Sequence, residues 1–144
     1  MNPTLYNLAM VIAERGSDWE SWVDQLRHEA DDVCLIVQQP GESVSELAAR
    51  VRQRVAAIQP YETLSKAVLV SGGRVDQDAV AARSLAIRAI VAPMVRAGQG
   101  DVVLASNTKD RISMMGLAST VASMIRGTGV DIQPAAQRSL ARVA

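Results

Sequence analysis

Cysteine, histidine and aromatic residues are scarce in this chain, and each scarcity excludes something. Cys34 is the one cysteine, so no intrachain disulfide can form, and no CxxC or Cys/His cluster exists to hold structural zinc. A reducing compartment is the setting expected for such a chain. His28 is the one histidine, and with Cys34 inside the apolar run VCLIV neither residue has the partners of a catalytic dyad or triad. We therefore expect no catalytic residue and no metal ligand. The aromatic residues are Tyr6, Trp19, Trp22 and Tyr61, too few and too dispersed to stack nucleobases.

An excess of either charge is also missing. Lys and Arg together number 15, as do Asp and Glu, so no net field favours a phosphate backbone or an anionic membrane. Nucleic acid and membrane partners are not expected. No apolar run is long enough to span a bilayer, and the first residues have neither a basic stretch nor a cleavage site of the secretory type. The expectation is a cytoplasmic protein.

What the chain does have is alternation. Short apolar runs rich in β-branched residues are separated by segments of helical period, the pattern of βαβ units around a buried parallel sheet. The runs are Leu5 to Ala13, Val33 to Val37, Ala67 to Val70, Asp101 to Ala105 and Val130 to Gln133. The sequence predicts one α/β domain over residues 1–144: three layers, with an open five-stranded parallel sheet and helices on both faces. Ser17-Asp18-Trp19-Glu20 and Ser43-Val44-Ser45-Glu46 have the form of capping boxes and predict two helix starts. After the first, Trp19, Trp22, Val23 and Leu26 make one apolar stripe. After the second, Arg50, Arg52 and Arg54 are expected on the solvated arc. Ser71-Gly72-Gly73 reads as a tight turn into a helix over 76–97, with Pro93 expected to kink or interrupt its last turn and Gly98 to stop it. A fourth helix is expected from Ser113 to Arg126, and residues 135–144 can form a short one. Pro134 and the alternation at Asp131 place the fifth strand at an edge.

This order of elements resembles the universal stress protein family. The sharper similarity lies between Asp101 and Pro134. There the family's nucleotide-binding branch carries G-x2-G-x9-G-(S/T) after its fourth strand, and this chain holds Ala105, Ser106-Asn107, Thr108, nine residues and then Ala118-Ser119. The resemblance implies strand order 3-2-1-4-5 and a crevice between strands one and four, where strand order reverses. That crevice would be lined by Glu14, Arg15, Gly16 and Ser17 from the first loop and by Ser106, Asn107, Thr108, Lys109 and Arg111 from the fourth, with Ser119 as the hydroxyl that the motif retains.

Alanine and threonine stand where the family's glycines approach phosphate, and Glu14-Arg15-Gly16 stands where the family has an aspartate. The chain is thus similar to the branch that lacks the glycine motif: non-enzymatic, homodimeric stress-response proteins that hold no ATP. Homodimerisation is expected through strand 130–133. Two alternatives stay open. One is binding of ATP or another phosphate ligand, with weak hydrolysis, by the 106–111 turn at a helix N-terminus. The other is an interaction subunit whose protein partner supplies the chemistry.

Overall fold

The computed structural model describes residues 6–73, 76–106 and 111–135. The elements alternate as the sequence predicts: β1 Tyr6–Ala13, α1 Glu20–Leu26, β2 Asp32–Val37, α2 Val44–Ala56, β3 Glu62–Val70, α3 Gln77–Ala97, β4 Gly100–Ala105, α4 Arg111–Met124 and β5 Val130–Pro134. All neighbouring strands are parallel. Residues 136–144, where a short terminal helix was expected, lie outside the described residues.

The strands stand in the order β2-β1-β3-β4-β5, one of the common doubly wound arrangements, rather than the expected 3-2-1-4-5. Burial explains the difference. A strand in the middle of a parallel sheet is covered on both faces and must be apolar on both. In β1 every residue from Leu8 to Ala13 is buried, and in β3 every residue from Ala67 to Val70 is buried. β2 begins with exposed Asp32 and leaves Leu35 38% exposed. A strand like that belongs at an edge, so β3 takes the inner place beside β1. β5 is the other edge, as expected, with Val130 and Ile132 buried and Asp131 and Gln133 exposed.

Side chains alternate across the sheet and make two cores. On one face Met10, Ile12, Leu69, Val102 and Leu104 meet α2, α3 and α4. On the other, Ala9, Val11, Val68, Val70 and Val103 meet Trp22, Val23 and Leu26 of α1. This division follows from right-handed crossovers. The β1 to β2 step runs opposite to the later three, so its helix falls on the opposite face. Among the described residues no helix is long and apolar enough to cross a membrane.

Local details depart from expectation where tertiary contacts intervene. Ser43 caps α2 in a complete capping box with Glu46. The first box does not form: Trp19 is the N-cap of α1 with no side-chain hydrogen bond, because the Ser17 hydroxyl donates to the Glu14 carbonyl at 2.6 Å. The α3 helix runs through Pro93 without interruption and ends at Gly98, whose φ of 74° suits a left-handed cap. Cys34 is half-buried on the edge strand; of the arginines expected on the solvated arc, Arg52 is exposed and Arg50, half-buried, is tied by its guanidinium to the Val37 carbonyl at 3.0 Å and to Glu42 at 2.8 Å. Replacing Trp22, which is 6% exposed, by alanine should cost about 3–5 kcal/mol. Urea unfolding followed by the fluorescence of Trp19 measures it.

Candidate functional site

The carboxyl ends of all five strands lie along one edge of the sheet. The order β2-β1-β3-β4-β5 moves the reversal point from between β1 and β4 to between β1 and β3, and ligands of open α/β sheets bind at that point. The loops that meet there are the one after β1, Glu14 to Ser17, and the one after β3, Ser71 to Gly73.

These loops are closely joined. The Glu14 amide donates to the Val70 carbonyl at 3.0 Å, extending the ladder one step past β1. Gly72 lies so near the first loop that a Cβ on it would sit 2.1 Å from the Arg15 carbonyl oxygen, which only glycine avoids. Gly73, with φ of 88°, donates its amide to the Ser71 hydroxyl at 3.0 Å. The turn expected from Ser71-Gly72-Gly73 is therefore also a wall of the reversal point.

At its centre is a buried ion pair. Alternation carries Glu14 onto the same face as Met10 and Ile12, and Ser71 onto the face of Ala67 and Leu69. That face is covered by α3, whose buried stripe Ala79, Ala82, Ala86 and Ile87 also includes Arg83. Arg83 donates from Nε to Glu14 Oε2 at 2.6 Å and from Nη2 to Glu14 Oε1 at 2.7 Å. Nη2 also reaches the Ser71 hydroxyl at 3.1 Å, and the Gly72 amide donates to Glu14 Oε1 at 3.0 Å. Glu14 is 2% exposed and Arg83 1%. The bidentate geometry is the strong form of this contact; the Gly72 amide gives the buried carboxylate a further donor and the Ser71 hydroxyl gives the guanidinium a further acceptor. Behind the pair, between it and Val44, Leu47 and Ala48, the void measures about 10 Å³.

The expected site residues divide. Glu14 is at the reversal point, but its carboxylate is engaged by Arg83 and Gly72. Arg15 turns outward, with its amide donating to Gln38 Oε1 at 2.7 Å and its guanidinium to the Gln39 carbonyl at 2.5 Å, so it fastens the first loop to the one after β2. Ser17 is engaged with the Glu14 carbonyl. Ser106 is half-buried just past β4, separated from the first loop by β3. Asn107, Thr108 and Lys109 lie outside the described residues. Arg111 is exposed at the first residue of α4, and Ser119 is exposed eight residues further on, about 12 Å along the helix axis. The fold does not bring Ser119 to the reversal point. Among the described residues no group of His, Cys, Asp and Glu could hold a metal ion.

Arg83 is the residue that sequence reasoning missed, although a signal was present. It occupies a buried position in an otherwise apolar helical stripe, and Glu14 does the same at the end of an apolar strand. A charge on a buried face needs a partner of opposite sign.

Compared with protein-family models and with curated proteins, the chain matches none. The site is therefore read from its own geometry.

Glu14→Leu or Arg83→Met alone should each destabilise the fold by about 3–5 kcal/mol, because each leaves one buried group uncompensated. Glu14→Leu combined with Arg83→Met should cost much less than the two single losses together. A double-mutant cycle in urea tests this, and simple additivity would show that the two side chains are not coupled.

Proposed function

We propose that this chain is a non-enzymatic, homodimeric interaction module of regulatory type that does not bind ATP. The observation that carries the reading is the state of Glu14. It is the acidic group nearest the place where a doubly wound sheet receives its ligand, and both of its oxygens are occupied by Arg83 and the Gly72 amide. Both acceptor oxygens of this acid are committed to partners within the fold. Its role is to join two loops and a helix.

The dimeric part of the reading is supported by the β5 side of the molecule. β5 ends the sheet, and an edge strand is a template for pairing with a second copy about a two-fold axis. α4, which packs beside β5, leaves Ile112 85%, Met115 48% and Met124 58% exposed. Exposed apolar side chains such as Ile112 and Met115, on a helix beside an edge strand, are what an isologous contact would cover.

The stress-response role implied by the resemblance receives less support. The observed strand order is not the one the resemblance implies, and residues 107–110 of the similar segment lie outside the described residues. The interaction reading rests on the site and the edge instead.

Sedimentation at micromolar concentration should give a dimer. Ile112→Lys with Met115→Lys should give a monomer whose stability changes by no more than about 0.5 kcal/mol per exposed site. Calorimetry with ATP and Mg²⁺ should show no heat. A monomeric wild-type protein removes the dimer, and saturable ATP binding favours the phosphate-binding alternative.

A further inference from the structure

At the opposite edge of the sheet, where the strands begin, α2 and α3 border an open cavity of about 510 Å³. The space exists because the facing residues are small: Ala56 of α2 and Ala89 and Ala92 of α3 line it, where larger side chains would have closed it. Its floor is apolar, made by Val55, Ile58 and Pro93. Arg52 of α2 and Arg96 of α3 line it from the two sides.

Arg52 and Arg96 are exposed, and neither takes part in an ion pair among the described residues. The one carboxylate in the lining, Glu62, already accepts the Gln59 amide at 2.9 Å. Two guanidinium groups against one carboxylate leave the lining positive. Arg96 stands in the last turn of α3, where it complements the carbonyl ends, whereas Arg52 lies outside the last turn of α2, which Arg54 occupies. The volume falls within the range of about 300–1,000 Å³ typical of small-molecule sites, and the lining is divided about evenly between polar and apolar surface.

We infer that the groove between α2 and α3 binds a small amphipathic anion, with an aliphatic body on Val55, Ile58 and Pro93 and a carboxylate held by Arg52 and Arg96. Planar guanidinium groups grip a carboxylate through paired hydrogen bonds, while the apolar floor adds affinity in proportion to the surface it covers. The site is separate from the reversal point and independent of the oligomeric state.

Octanoate is the probe, titrated into the ¹⁵N-labelled protein and followed by amide chemical shifts. Saturable shifts are expected in residues 52–62 and 89–96, with binding weakened at least about tenfold in Arg52→Gln/Arg96→Gln. Ala92→Leu should abolish binding by filling the cavity. All three positions are exposed, so the variants should keep the wild-type spectrum elsewhere. Shifts that do not saturate, that fall on other residues, that persist unchanged in the double arginine variant, or that octylammonium reproduces with equal affinity would overturn the assignment.

Discussion

The contact between Glu14 and Arg83 fixes the geometry of the carboxyl edge. It links the last ladder step of β1 to the turn after β3 and the first turns of α3, which lie about sixty to seventy residues further along the chain. Taking both charges from water is costly, and what offsets the cost is a set of two parallel guanidinium bonds, a backbone amide and a hydroxyl. Such a cluster tolerates little displacement, since moving any member exposes the others to an unsatisfied environment. The close approach of Gly72 to the Arg15 carbonyl has the same effect from the backbone side. The two loops at the reversal point are thereby set at one spacing.

Much of the fold was legible. The apolar runs and helical stripes gave every element in order, because burial on both sheet faces selects continuous β-branched runs whatever the neighbours are. Gly98 and the Ser43 box were legible for the same reason: a helix end is a local problem with local solutions. Strand order was less accessible, since pairing partners are chosen in three dimensions. Even so, Asp32 pointed to an edge, while β3 has no exposed residue. The resemblance to another family's order outweighed that signal.

The site was half legible. Glu14 was singled out for its place in the chain, but its alternation with Met10 and Ile12, which aims it at α3, was not used. Arg83 escaped because the eye passes over a charge in a helix as solvated, whereas the i, i+3, i+4 pattern of Ala79, Ala82, Arg83, Ala86 and Ile87 places it inside. Ser17 misled in the opposite direction. Its spacing to Glu20 satisfies the capping pattern, yet a carbonyl three residues upstream competes for the hydroxyl and wins.

The pairing of β1 with β3 has a consequence for how the chain acquires its shape. β1 meets β2 after a short excursion, but its other neighbour begins with Glu62 opposite Tyr6, so a long stretch containing two helices and an edge strand must be closed before the central ladder can form. During synthesis the apolar β1 segment thus emerges early and stays open on one side until β3 follows it. The later steps, β3 to β4 to β5, each add a strand beside the one just made. Closing the first loop is therefore the entropically demanding event, and assembly of the second half can proceed by accretion on the ladder it leaves behind.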